Sequence, residues 1–151
     1  MTNTFQTRRA DPDDAVACAE ILQEWIDETP WFETPHPPSA AAPMLREQIS
    51  VNGFSLAESN GEIAGFSCMS NGVLEFLYVR AKFRDQSVGL TLLKQCKQAQ
   101  PDGFFLWTFQ QNTGARRFYE RHGCVEAERT DGAGNEEGLP DIRYVWEGQN
   151  G

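Results

Sequence analysis

Apolar and polar residues alternate over residues 4–9 (TFQTRR) with the period of a short strand. The period changes at Asp11-Pro12-Asp13-Asp14, where an acidic cap with proline in the first turn opens a helix. Ala15, Cys18, Ala19, Ile21, Leu22, Trp25 and Ile26 then recur at helical spacing. Residues 29–43 carry five prolines and break regular structure, and 44–49 predict a short second helix. Three strands follow, at 53–59, 62–70 and 73–80. The first two flank Asn60-Gly61, which favours a tight type I′ hairpin, and Asn71-Gly72 precedes the third. Residues 87–99 read as a helix with Val88, Leu92, Leu93, Cys96 and Ala99 on one face, ended by Pro101-Asp102-Gly103. Residues 104–109 read as a buried strand. Asn112 caps a helix carrying Ala115, Phe118, Tyr119 and His122, which stops at Gly123. Strands at 124–129 and 142–146, separated by the polar loop DGAGNEEGLPD, close the pattern.

The order is strand, two helices, three strands, helix, strand, helix, two strands. It predicts an α/β fold (α+β by some schemes): a single mixed, mostly antiparallel twisted sheet of about seven strands flanked by about four helices. At 151 residues the expectation is one domain spanning 1–151, long enough to bury a core. A net charge of −9, from 22 acidic and 13 basic residues, argues against nucleic-acid binding. Such a surface attracts cationic small molecules or basic peptides, or serves solubility alone. Cys18, Cys68, Cys96 and Cys124 contain no C-x-x-C pair, so neither a zinc site nor a disulfide framework is expected. No apolar run approaches a membrane-spanning length, and the N-terminus lacks the apolar core of a signal peptide. The chain reads as a soluble cytoplasmic protein with reduced thiols, with no membrane or nucleic-acid partner.

The candidate chemistry lies in residues 74–93, LEFLYVRAKFRDQSVGLTLL, where an apolar strand enters a helix through a basic, small-residue turn. The first turn of a helix leaves about four N–H groups unpaired, and the macrodipole adds roughly half a positive charge. Arg84 through Leu90 therefore suit a diphosphate, although an ordinary capped helix explains the same residues and Asp85 repels phosphates unless it turns outward. Alternation places Glu75, Leu77 and Val79 on one strand face and Leu74, Phe76 and Tyr78 on the other. A buried glutamate there is costly unless it is paired or functional.

The turn resembles the acyl-CoA-binding motif of the GNAT superfamily, the Gcn5-related N-acetyltransferases. That pattern runs Arg/Gln-x-x-Gly-x-Gly/Ala, and Arg84, Ser87 and Gly89 stand at its fixed places, with serine replacing the first glycine. A second stretch, Asn112-Thr-Gly-Ala115-Arg-Arg-Phe118-Tyr119, matches the family's Asn-x-x-Ala-x-x-Phe-Tyr, with Cys124 where phenylalanine usually follows Gly123. The resemblance covers the whole chain in layout and residues 74–123 in specific motifs. It implies the GNAT fold and transfer of an acetyl group from acetyl-CoA to a primary amine by direct attack in a ternary complex, with no metal.

Residue by residue, the resemblance implies that Arg84, Asp85, Gln86, Ser87, Val88, Gly89 and Leu90 cradle the diphosphate. Tyr78 and Val79 lie beside the pantetheine, and one of their N–H groups polarises the thioester carbonyl. Asn112 contacts the pantetheine arm or substrate, or is simply a helix cap. Tyr119 protonates the departing thiolate, or is a core aromatic. Glu75 is a general base, directly or through water, or a buried partner for an arginine. The loop between the first two helices shapes the acceptor pocket in such proteins. Here it offers Trp31, Phe32, Glu33 and His36, faced by Asp131, Glu136, Glu137 and Asp141. Aromatics plus a carboxylate suit a small cationic amine or a protein N-terminus. The runner-up reading is a non-catalytic acyl-CoA sensor or regulatory module, and monomer and homodimer are both open.

Overall fold

The computed structural model describes residues 4–149. Seven strands form one sheet: β1 (Gln6–Arg9), β2 (Gly53–Ser59), β3 (Glu62–Ser70), β4 (Val73–Val79), β5 (Phe104–Phe109), β6 (Val125–Thr130) and β7 (Asp141–Trp146), in the order β1-β2-β3-β4-β5-β7-β6. Every neighbouring pair is antiparallel except β4 and β5. Helices α1 (Ala15–Asp27) and α2 (Ala41–Val51) precede β2, while α3 (Val88–Ala99) and α4 (Thr113–Arg121) bracket β5. The expected mixed sheet with four helices is the observed one.

Local chemistry explains the boundaries. Asp11 and Asp14 form a capping box: Asp11 Oδ1 accepts the Asp13 N–H at 2.9 Å, and Asp14 Oδ2 accepts the Asp11 N–H at 2.8 Å. They open a short 3-10 turn, Pro12–Asp14, that runs into α1. Arg8 on β1 grips the same Asp14 carboxylate at 2.9 and 3.0 Å, fixing the start of α1 to the sheet. Both Asn-Gly turns adopt left-handed conformations (Asn60 φ +53, Gly61 φ +79; Asn71 φ +50, Gly72 φ +80), as type I′ hairpins require. The second helix begins at Ala41, three residues before the expected 44–49 stretch. Pro43 falls in its first turn, where the N–H it lacks would have no intrahelical partner. Ser87, expected as the first residue of α3, stands just outside it in a left-handed conformation.

The core lies on both faces of the sheet. One cluster joins Cys18 and Ile21 of α1 and Leu45 and Ile49 of α2 to Phe54, Leu56, Phe66 and Cys68. On the other face Leu93 and Cys96 of α3 and Tyr119 of α4 pack with Leu106, Ile142 and Tyr144. The cysteines are all buried and free. Burial pushes the thiols of Cys18 and Cys68 up to about 12, so they are inert packing groups.

Strict alternation along β4 fails at one residue. The register passes from Cys68↔Phe76 to Met69↔Leu74, so Glu75 is the extra residue of a β-bulge. Phe76 and Tyr78 pack toward α1, whereas Leu74 joins the α3–α4 cluster, the face that also takes Leu77. The expected grouping of Leu74 with Phe76 and Tyr78 is therefore corrected: a bulge resets the two-residue period.

Candidate active site

Strands β4 and β5 pair over only two positions, Val73↔Phe105 and Leu74↔Leu106, and then part. The gap has polar walls. Arg80 N–H donates to Ala64 O of β3 at 2.7 Å, and strand amides alternate in direction. The amides of Leu77 and Val79 consequently point into the gap, and that of Tyr78 toward β3. On the far wall, Phe105 N–H donates to Gly72 O at 3.1 Å, which turns the amide of Trp107 into the gap. Of the two backbones expected to line a ligand, the Val79 amide faces the gap and the Tyr78 amide faces β3; the Leu77 amide also faces the gap. The bulge and the splay are tertiary features, so periodicity along the strand carried no sign of Leu77.

At one mouth of the gap stands the N-terminus of α3. Asp85 (φ +62) and Ser87 (φ +69) are left-handed, and Ser87 supplies no side-chain cap. The N–H groups of Val88, Gly89 and Leu90 are left open, in a concave turn of the kind that takes anions. Asp85 is exposed. Arg84 is committed elsewhere, its Nη1 lying 2.6 Å from Glu28 Oε2. Gln86 Nε2 donates to Lys82 O at 3.2 Å. A side chain on Gly89 would meet the Phe118 ring at 3.3 Å, so this glycine also seats α3 against α4.

Asn112 is the N-cap of α4, its Oδ1 accepting the Ala115 N–H at 3.1 Å. Tyr119, only 8% exposed, packs in the cluster containing Leu74 and Leu106, the pair at which the strands part. Its hydroxyl makes no hydrogen bond to another described residue. Burial, with smaller effects of Cys124, Tyr78 and Cys96, pushes the phenol well above its ordinary range, so it holds its proton. His122 ends α4, its ring 5.0 Å from Phe118, and burial beside Lys97, Arg121 and Lys94 depresses its pKa. It packs at the helix terminus, as its position suggested.

The other mouth is aromatic. Trp25 of α1 lies 5.6 Å from Tyr78 and 4.9 Å from Phe32, while Trp31 and Phe32 lie 5.7 and 5.6 Å from Phe109 of β5. The proline-rich loop is thus pinned across the gap. Beyond it, Trp107, Phe109, Asn135, Glu137 and Asp141 line a cleft of about 550 Å³. Burial and then the carboxylate of Glu137 push the Tyr78 phenol up to about 12. His36 Nε2 meets Glu136 Oε1 at 2.7 Å, joining the early loop to the late one. Glu33 is exposed and in no ion pair among the described residues. Glu75 is also exposed and in no ion pair among the described residues, which removes the buried arginine partner as its explanation. Trp25, Phe109 and Trp107 belong to this region and were not singled out from the sequence, because their helical and strand spacing marks them equally well as core. No group of His, Cys, Asp and Glu suited to a metal occurs among the described residues, and no helix there is long and apolar enough to cross a membrane.

A splayed parallel pair thus stands beside an open helix N-terminus in a mixed α/β fold. The chain belongs to the acetyltransferase (GNAT) family, whose pattern matches residues 18–124. No curated protein matches it in sequence. Among solved structures it is similar to apo YjaB of Escherichia coli (TM-score 0.79, 18% identity, 96% of this chain and 99% of that one). It is similar too to PaiA N-acetyltransferase of Thermoplasma acidophilum in complex with coenzyme A (0.77, 18%, 95% and 99%). YncA of Salmonella typhimurium, described with its cofactor acetyl-CoA, is a third (0.73, 17%, 96% and 94%).

Proposed function

We propose that this protein is an acetyl-CoA-dependent N-acetyltransferase acting on a primary amine, a small cationic amine or a protein N-terminus, by direct attack in a ternary complex. The observation that carries this reading is the gap between β4 and β5, with open amides on both walls and the uncapped α3 N-terminus at its mouth. The cradle fits acetyl-CoA: the N–H groups of Val88, Gly89 and Leu90 suit a diphosphate, and those of Leu77 and Val79 suit an amide-bearing arm and a thioester carbonyl. Two similar structures are described with acetyl-CoA or coenzyme A, which supports the same assignment.

Acetyl-CoA supplies an acyl group activated by a sulfur leaving group. The amine nitrogen forms a bond to the acyl carbon, and the carbon–sulfur bond breaks with its electron pair on sulfur. Tyr119 gives its proton to that sulfur. A thiolate is already a fair leaving group, with a pKa near that of cysteine, so Tyr119 accelerates rather than permits the step. Glu75, at the root of the gap, accepts the proton that the amine must lose, directly or through water. Trp31 and Phe32 close the aromatic mouth over the acceptor. Asn112 acts first as the cap that orients α4 and hence Tyr119, and His36 acts through its bond to Glu136.

Thermal unfolding with acetyl-CoA, coenzyme A, NAD and ATP tests the reading. A rise confined to the two CoA compounds is expected, worth about 2.7 kcal/mol at ~100 times the dissociation constant. Tyr119→Phe should keep that rise while kcat falls about 10²-fold. No shift with either CoA compound would overturn the assignment; a shift with no turnover on any amine would leave a sensor of acyl-CoA.

A further inference from the structure

The helix that carries Tyr119 has little apolar packing of its own. α4 has nine residues, and Tyr119 is the one it buries. Asn112 fixes where the helix begins, through its bond to the Ala115 amide. A cap at one end does not set how the helix is turned about its axis. That angle matters for a proton donor. A hydroxyl carried roughly 8 Å from a helix axis moves about 1.5 Å when the helix turns by ~10°. A displacement of about 1 Å between reacting groups can cost ~10²-fold in rate.

The rotation of α4 is set by a clasp on one hydroxyl. Tyr144 of β7 is fully buried, and its hydroxyl donates to Glu120 Oε2 at 2.5 Å and accepts from Arg116 Nε at 3.4 Å. Arg116 and Glu120 stand four residues apart, so they share one face of the helix. Arg116 is held in turn by Gln110 O, 3.2 Å from its Nη1, just beyond the end of β5. Burial, and then the bond to Glu120, raise the Tyr144 phenol above its ordinary range, so it stays a donor. The place of the clasp is telling. Tyr144 pairs with Leu106, which pairs with Leu74, so it lies on the row at which β4 and β5 part. Its ring lies 6.4 Å from that of Tyr119, in the same buried cluster.

Resting on the transferase reading above, with Tyr119 as proton donor, we propose that Tyr144 is a positioning residue for the reaction. By holding Arg116 and Glu120 it fixes the rotation of α4, and so aims the Tyr119 hydroxyl at the departing sulfur. It acts through Tyr119 alone. Glu120 and Arg116 belong to the same device, since each holds the Tyr144 hydroxyl from one turn of the helix.

The test follows acetyl transfer from acetyl-CoA to hydroxylamine, above the uncatalysed rate. This small nucleophile is largely unprotonated at pH 7, so the assay does not require the natural acceptor. Tyr144→Phe removes the clasp and keeps the ring, so the core stays filled. It should lower kcat about tenfold and leave the KM for acetyl-CoA within about twofold. In a Tyr119→Phe background the same change should alter kcat by less than about twofold, because the group it aims is gone. Plain structural damage would lower the rate in both backgrounds. Glu120 gives a second route that spares the core. Glu120→Ala should lose about as much rate as Tyr144→Phe, and Glu120→Gln, whose carbonyl still accepts, should recover most of it. Equal losses with and without the Tyr119 hydroxyl, or an unchanged kcat in both Tyr144→Phe and Glu120→Ala, would overturn the proposal and leave the transferase standing. A wild-type kcat in Tyr119→Phe, or no turnover on hydroxylamine or any amine, would overturn the reading beneath it and the proposal too.

Discussion

The two mouths of the gap between β4 and β5 are built on opposite plans. The α3 side is made of backbone: open amides at Val88, Gly89 and Leu90, two left-handed residues, and a glycine against Phe118. Apart from Phe118, all of it lies in the six consecutive positions 85–90. The opposite, aromatic side, the proposed acceptor side, is made of side chains from distant segments: Trp25 of α1, Trp31 and Phe32 of the proline-rich loop, Tyr78 of β4, Phe109 of β5 and Glu137 of the late loop. A backbone cradle binds a feature common to many reactions, a diphosphate, and so tolerates varied side chains. In the proposed transferase, a side-chain pocket would select the acceptor, and each residue in it could change without disturbing the cradle.

The sharpest way to break the comparison is to move the backbone itself. Gly65 on β3 would place a side-chain carbon 2.7 Å from Tyr78 O and 3.2 Å from both Val88 and Leu92. Gly65→Ala should therefore cost about 2–3 kcal/mol in urea unfolding, by forcing β4 and α3 apart. It should also weaken CoA binding, because Val88, which the new side chain would displace, opens the proposed cradle. If unfolding and CoA binding both stayed at wild-type values, the close seating of α3 would not matter as argued.

An intermediate effect is expected on the acceptor side. Arg8 holds the Asp14 carboxyl below its ordinary pKa of 3.8, with the Asp11 amide assisting and burial opposing. Because the folded pKa is depressed, this stabilisation is present above pH 3.8 and fades as pH falls through the folded value. Asp14→Asn should cost about 1–2 kcal/mol at pH 7 and remove that acid-sensitive part of the stability curve. Since Asp14 anchors α1, the aromatic mouth should loosen first, read as a change in tryptophan fluorescence before CoA binding is lost. An unaltered acid limb in the variant would count against the Arg8–Asp14 pair as its source.

The smallest change sharpens the cradle. Ser87 sits at φ +69, where a side chain is strained and glycine is not. Ser87→Gly should gain up to about 1 kcal/mol and leave acetyl-CoA binding equal or tighter. Weaker binding would mean that the Ser87 hydroxyl itself contacts the ligand.

Much of the fold was legible because its signals are local. β2, β3 and β5 begin and end where the alternation and the Asn-Gly turns place them, and Asn112 and Gly123 bound α4 as caps do. The α3 turn was legible for the same reason: an open helix N-terminus is a property of consecutive residues. The rest needed the third dimension. Nothing along β4 announces the bulge at Glu75, since an extra residue is defined only against its partner strand. The parting of β4 from β5 after Leu74, which leaves the amides of Leu77 and Val79 facing the gap, is likewise a relation between strands.

The late loop makes the same point in charge. Its four acidic residues are equivalent in the sequence, yet His36, Thr130, Asn135 and the loop's own amide occupy three of them and leave Glu137. Sequence by itself determined the order of elements and the family, because hydrophobic period, turn chemistry and helix capping act over a few residues. Only the tertiary structure decided which carboxylate is unspent and which backbone faces the gap, because burial and partnership are set by segments that meet across tens of positions.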